Sequence, residues 1–203
     1  LESVRWGRCA PCSAAMQVYH ERQQQRCCGV HAVNNLLQLP PGSLGHLPKR
    51  EADAIAAELA AEDARASGRS GRWSPSAYHA RSPCCGGNYD VEVLVEALRR
   101  RGCYIAEHWV VFPGDGSLED LRTGLARLLP GSPDDGVNVL RGLLLNRRSR
   151  LGSGRHWLCL APNGPGGAWL CHDSSRWRPA ALPDAAAGVG TAEALAAHVA
   201  AEL

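Results

Sequence analysis

From Cys28 to Gln38 the apolar residues Val30, Val33, Leu36 and Leu37 recur at spacings of three and four, one stripe of a helix, and Pro40-Pro41-Gly42 ends it. A second helical pattern runs from Lys49 to Arg65, with Ile55 and Leu59 among alanines and Pro48 at its entry. Val91, Leu94, Val95 and Leu98 mark a third helix over 91–101, with Asp90 at its N-cap and Gly102 as its stop. A strand is predicted over Cys103 to Phe112, and a helix over Ser117 to Leu129 with Ser117 as its cap and Asp120 three residues on.

The second half changes in kind. Val137 to Leu145, His156 to Ala161 and Ala168 to Asp173 are short runs rich in Val, Leu and Trp, separated by Arg/Gly/Ser or Pro/Gly stretches, the pattern of an antiparallel sheet. A last helix is predicted from Thr191 to Leu203. Helices come first and strands follow, so the class is α+β, a helical lobe packed on a sheet. From Ser67 to Gly87 the composition turns to Gly, Ser, Pro and Arg, which predicts a mobile insertion without a packed element. No internal repeat is evident.

The 203 residues suffice for one well-buried domain. The formal charge of +2 and the scattering of arginines among acids lack the basic stripe of a nucleic-acid binder; Lys49 is the one lysine. No apolar run approaches the roughly 20 residues that span a bilayer, and Leu1 to Ala15 lacks the apolar centre of a secretory signal. Nine cysteines, with Cys27-Cys28 and Cys84-Cys85 adjacent, make a poor disulfide framework, so reduced thiols and a cytoplasmic or nuclear setting are expected. The chain opens on leucine while Met16 stands just before the first patterned segment, so residues 1–15 are expected to be an unstructured extension and 16–203 the catalytic domain. Cys9 and Cys12 have the spacing of half a zinc site, but no second well-spaced pair follows, so no metal is expected.

The first turn of a helix stabilises a thiolate through its unsatisfied N–H groups, and Cys28 sits at such a start. Gln23, five residues earlier, has a side-chain amide that would join the Cys28 N–H as an oxyanion hole. By position alone a buried structural cysteine beside an exposed glutamine explains the same residues. The hairpin sharpens the choice: if Ala161 pairs with Ala168, His156 falls opposite Asp173, and Leu158 and Leu160 line the same face opposite Cys171 and Trp169. The alternative is an incidental His–Asp pair in a sheet. Read as a site, Cys28 is the nucleophile, His156 the base and Asp173 its orienter, with no cofactor required. Cys27 would leave the helix start in another direction. His31 fits a local hydrogen bond better than a base, Asn34 and Asn35 are expected to tie helix to sheet, and Trp157 and Trp169 to be core or cleft walls.

Val18-Tyr-His-Glu-Arg-Gln23, Cys28-Gly-Val-His31 and Asn34-Asn-Leu-Leu-Gln38 together closely resemble the catalytic opening of the Josephin family of papain-like deubiquitinases. Gly87-Asn-Tyr-Asp90, His156-Trp157 and Trp169 through Asp173-Ser174 fit the same family in the same order. The resemblance spans Val18 to Leu203. It implies a papain-like fold with the cleft between helical lobe and sheet, a ubiquitin or polyubiquitin substrate cut at the C-terminal glycine of ubiquitin, and the four roles already given to Gln23, Cys28, His156 and Asp173. Two features depart from the family pattern: the insertion near 67–87 is long and rich in Gly and Arg, and the chain stops at a helix where members usually add a strand, which suggests a fragment. Asp173 replaces the asparagine of some members, and either side chain accepts an imidazole N–H. Competing readings are a ubiquitin-binding module without turnover, and papain-like chemistry on another acyl donor, as in an ordinary peptidase or a transglutaminase.

Overall fold

The computed structural model describes residues 2–6, 18–24, 27–67, 78–80, 88–108, 117–129, 139–148, 155–164, 167–182 and 191–202. Among these residues five helices, α1 (Cys28–Leu37), α2 (Lys49–Ala66), α3 (Val91–Arg99), α4 (Ser117–Leu128) and α5 (Thr191–Glu202), accompany eight strands: β1 (Glu2–Trp6), β2 (His79–Ala80), β3 (Asn88–Tyr89), β4 (Cys103–His108), β5 (Val139–Arg148), β6 (Arg155–Pro162), β7 (Trp169–His172) and β8 (Ala180–Ala181). Six of the strands form one antiparallel sheet in the order β4-β1-β5-β6-β7-β8, and β2 pairs with β3.

Both faces of this sheet are covered, and the period of two in the strands sorts the residues between them. Leu144, Trp157, Cys159 and Ala161 pack with α1, α2 and α3 in one core. Leu143, Leu145, Leu158, Leu160, Trp169 and Cys171 pack with α4 and α5 in the other. Burial on both sides explains why β5 and β6 read as continuous apolar runs rather than alternating ones. Where β5 runs beside β1 the register shifts between Gly142 and Leu140, leaving Arg141 as an extra residue, so that Leu140 joins Leu143 on the α4/α5 side.

Helix α1 is buried on all sides: each residue from Cys28 to Leu37 is buried, including His31, Asn34 and Asn35. The stripe read from the sequence is therefore one face of a central helix, whose other faces meet α3 and the segment 18–24. It stops at Gln38, the one non-glycine residue with positive φ (54°) among those described, whose N–H reaches back to the carbonyls of Asn34 and Asn35. Asp90 caps α3 as expected, accepting from the Glu92 N–H at 3.1 Å.

Four strands were not anticipated, one of them the two-residue β3 just before α3. Glu2–Trp6, expected to lie in an unstructured extension, forms β1 between β4 and β5, where backbone pairing on both edges holds it. β2 lies inside the expected insertion and β8 follows β7; each is two residues long, too short for any period to show in the sequence. The rest of the extension, including Cys9 and Cys12, and most of the insertion around 67–87 lie outside the described residues.

Candidate active site

Cys28 opens α1 and is 1% exposed. Its sulfur accepts the backbone N–H of Trp157 at 3.4 Å, which sets the start of the helix against β6 one residue beyond His156. His156 donates its Nε2–H to Asp173 Oδ1 at 2.8 Å. Its other side meets the Cys28 sulfur in a hydrogen bond, so with Nε2 turned to the acid, Nδ1 is the nitrogen left for the thiol. The three residues read from the sequence as nucleophile, base and orienter are thus brought together from α1, the start of β6 and the turn after β7.

The register that delivers Asp173 is not the one expected. β6 and β7 pair Pro162 with Trp169, Leu160 with Cys171 and Cys159 with His172, two residues along from the pairing of Ala161 with Ala168. Continued one step, this sets Leu158 rather than His156 opposite Asp173. A slip of two residues keeps every side chain on its own face, so the hydrophobic pattern does not distinguish the two registers. At the hairpin Ala168 is met by Asn163 rather than Ala161, two residues further along, through the Asn163 N–H to the Ala168 carbonyl at 2.9 Å. Asp173 reaches His156 diagonally, from just past the end of β7.

Asp173 is nearly inaccessible, and both its oxygens are engaged. Oδ1 accepts from His156, from the Ser175 N–H at 2.9 Å and from the Ser175 hydroxyl at 2.6 Å; Oδ2 accepts from Arg147 Nη2 at 2.9 Å. Burial by itself would raise its pKa, but the bonds from His156 and Ser175 and the charge of the imidazole outweigh it and hold the carboxyl well below the usual range. Burial likewise opposes the charged form of His156. The bond to Asp173, the contact with Cys28 and the charges of both outweigh it, and the imidazole is pushed up to about 9.

Gln23 lies in the segment 18–24, which is gripped from two sides. On one side the buried polar residues of α1 hold it: Gln38 exchanges two hydrogen bonds with the Tyr19 backbone at 2.8 and 3.2 Å, Asn35 binds both the N–H and the carbonyl of Glu21, and His31 Nε2 accepts the Gln24 N–H at 3.0 Å. The Glu21 carboxylate faces His31 Nδ1 at 3.2 Å and accepts from Asn34 Nδ2 at 2.9 Å. On the other side the Gln23 N–H donates to the Ser174 carbonyl at 2.7 Å, in the turn that follows Asp173. Arg22 stacks over the exposed Trp177 ring at 3.4 Å along the same seam. Backbone bonds therefore fix Gln23 between α1, which Cys28 opens, and the turn that follows Asp173.

The remaining expectations divide. His31 hydrogen-bonds locally, as expected, and Trp157 and Trp169 are buried in the two cores. Asn34 and Asn35 tie α1 to the segment 18–24 and to Leu47 rather than to the sheet, because α1 faces the sheet with its apolar side. Cys27, Cys28, Cys103, Cys159 and Cys171 are buried and none forms a disulfide. Among the described residues no group of three His, Cys, Asp or Glu could hold a metal ion, and no helix is long and apolar enough to cross a membrane. Sequence reasoning missed Ser175 and Arg147. Asp173-Ser-Ser175 carries the signal of an Asx turn, in which a carboxylate accepts the N–H two residues on, whereas Arg147 in an Arg-Arg pair carries none.

A cysteine at the start of a central helix, facing a histidine–aspartate pair on an antiparallel sheet, defines the papain-like class of α+β thiol-hydrolase folds. The sequence model of the Josephin family matches residues 23–188, most of the chain, and the chain belongs to that family. It is 32% identical to human Josephin-2 over 175 residues, covering 82% of this chain and 73% of that protein. It is 26% identical to a Josephin-like protein of Arabidopsis thaliana over 160 residues, 78% of this chain but 39% of that longer protein. A Josephin-like protein of Drosophila melanogaster is 37% identical over 87 residues, covering 42% of this chain and 32% of the relative.

Proposed function

We propose that the chain is a cysteine-dependent deubiquitinase that hydrolyses isopeptide bonds at the C-terminus of ubiquitin, with polyubiquitin or ubiquitinated proteins as partners in a cytoplasmic or nuclear setting. The observation that carries the reading is the contact of Cys28 with an imidazole whose far nitrogen is bonded to Asp173 at 2.8 Å. Membership of the Josephin family supports ubiquitin as the acyl donor.

The Cys28 thiolate attacks the carbonyl of the terminal glycine. The carbon–sulfur bond forms while the oxygen takes up the negative charge, stabilised by the Cys28 N–H and the Gln23 amide. Collapse of this intermediate breaks the carbon–nitrogen bond, and His156 gives its proton to the leaving lysine amine. Water then attacks the thioester, giving a proton to His156 as the carbon–sulfur bond breaks. The product leaves as the acid and ionises, its proton passing through solvent to the released lysine amine, and the proton on His156 again balances the thiolate. Asp173 keeps the imidazole in the tautomer that presents Nδ1 to the sulfur throughout.

The 1% exposure of Cys28 favours one second reading, a ubiquitin-binding module whose cleft is closed to the scissile bond. Cleavage of a diubiquitin panel by wild type and Cys28→Ala, beside capture of a ubiquitin vinyl sulfone, separates the two. Turnover and covalent capture by wild type alone are expected. Binding of ubiquitin with no capture establishes the module, and strong turnover of unrelated peptides with diubiquitin left intact removes the isopeptidase reading.

A further inference from the structure

Arg147 stands directly opposite His156 in the pairing of β5 with β6, on the face covered by α4 and α5. Its side chain is 10% exposed and lies between two carboxylates: Asp173, whose Oδ2 accepts from Nη2 at 2.9 Å, and Glu202 on the last turn of α5, which forms an ion pair with Nη1. The side chain of Glu202 is itself 8% exposed. The family match ends at residue 188, so this helix lies beyond it.

A guanidinium bonded to the acid of a His–Asp pair has two opposed effects. It fixes the second oxygen, so that the first stays aimed at the imidazole. It also draws on the negative charge that stabilises the imidazolium, and at this distance inside a protein a unit positive charge disfavours a neighbouring cation. An anion on the far side of the guanidinium offsets that second effect while leaving the first intact. Burying an arginine between two acids is costly unless every charge is matched, which gives the arrangement a reason beyond helix docking.

We propose that Arg147 and Glu202 are positioning residues of the hydrolytic site, Arg147 locking the orientation of Asp173 and Glu202 neutralising Arg147, so that α5 controls the charge state of His156. The proposal rests on the Cys28–His156–Asp173 reading above but not on the identity of the acyl donor. Among the described residues the charged and titratable groups around His156 are Cys28 from α1, Arg147 from β5, and Asp173 and Arg176 from the turn after β7, with Glu202 and His198 of α5 behind Arg147. Burial, together with Arg176 and Arg147, holds His198 below its ordinary pKa, so it adds no charge at neutral pH.

The test is the pH dependence of Cys28 alkylation by chloroacetate in the full chain, followed by mass spectrometry of the peptide that carries Cys28. This anionic reagent needs both thiolate and imidazolium, so the alkaline limb of its profile reports loss of the imidazolium proton without any ubiquitin substrate. Glu202→Gln removes a negative charge and should move that limb down by roughly one pH unit, while Arg147→Met removes a positive charge and should move it up by a similar amount. The double variant should lie near Arg147→Met, because Glu202 acts through Arg147. A purely structural role would lower the melting temperature and leave both limbs where they are. Limbs that stay put, that move in the same direction, or that add independently in the double variant overturn the proposal. Should Arg147→Met fail to fold, the isosteric Glu202→Gln decides alone, since an unmoved limb in a folded protein is then sufficient refutation. Wild type that shows the profile and the opposed shifts but leaves diubiquitin intact sinks the ubiquitin reading and keeps this one; wild type that cleaves diubiquitin while the variants' limbs stay fixed does the reverse.

Discussion

The sulfur of Cys28 accepts the backbone N–H of Trp157 at 3.4 Å, and the Trp157 indole N–H donates in turn to the Tyr89 carbonyl at 3.2 Å. The tryptophan therefore spaces α1 from β6 through its main chain while its ring is anchored to β3. The separation between Cys28 and His156 is held by packing at this residue.

Gly29 lies in that joint. A Cβ there would meet the Leu94 methyls at 3.1 and 3.2 Å and Trp157 Cδ1 at 3.3 Å. Leu94 has room to turn only within a filled core, and the indole is tethered. Gly29→Ala is expected to cost about 1–2 kcal/mol by overpacking, read as a lower urea midpoint. Turnover and Cys28 alkylation should fall further than stability does, because the displacement opens the gap between sulfur and imidazole. Full activity at unchanged stability would show that the joint is slack.

Asp173→Asn keeps an acceptor for the His156 N–H and loses the charge, whereas Asp173→Ala loses both. The alanine variant is expected to lose roughly 10²–10³ in kcat and the asparagine variant less. Without the carboxylate charge the imidazolium is less favoured, so the alkaline limb of kcat/KM, with His156 pushed up to about 9 in the wild type, should move to lower pH in Asp173→Asn. An unshifted limb would mean that Asp173 acts by orientation alone.

Asn34 is fully buried at the back of α1, where its Oδ1 accepts the Leu47 N–H at 2.8 Å and its Nδ2 donates to the Leu47 carbonyl at 3.0 Å. Asn34→Ala strands both backbone groups of a residue that is itself fully buried, at a cost of about 2–4 kcal/mol. Asn34→Asp should be at least as severe, since it sets a second carboxylate against Glu21. Urea unfolding measures both, and a loss below that of an ordinary surface substitution would contradict the bonding described.

His172 is buried beside His20, with the two Nδ1 atoms 3.4 Å apart, and burial with His20 pushes it down to about 4. An unfolded chain protonates this histidine near its ordinary value of about 6.5, so stability falls as pH drops from there towards 4, with a ceiling of about 3 kcal/mol. His156 has the opposite sign: its contribution is fully present below about 6.5 and is lost as pH rises through about 9. Urea unfolding from pH 7 to pH 5 should therefore show a slope that His172→Leu flattens. An unchanged slope would assign the acid sensitivity to other groups.

The pattern in the sequence reaches far into the fold. The period of α1, the breakers at its end, the Asp90 cap and the apolar runs of β5, β6 and β7 each follow from propensity and local hydrogen bonding, which neighbours along the chain decide. The proposed triad was legible for the same reason, since a helix start and a hairpin are local objects and parity alone puts His156 and Asp173 on one face. β1 was not legible, because what makes Glu2–Trp6 a strand is pairing on both edges with segments roughly a hundred residues or more away.

The sequence by itself singled out the residues proposed to bear the chemistry and the order in which they come. Tertiary structure decided how they meet: the two-residue shift in the β6–β7 pairing, the burial of α1 on every side, and the Arg147–Glu202 pair behind Asp173. The hydrophobic effect sorts side chains to faces but is blind to even-numbered slips along a strand. Buried charges are matched only by whatever the fold brings beside them, so their partners become readable only when distant segments are in place.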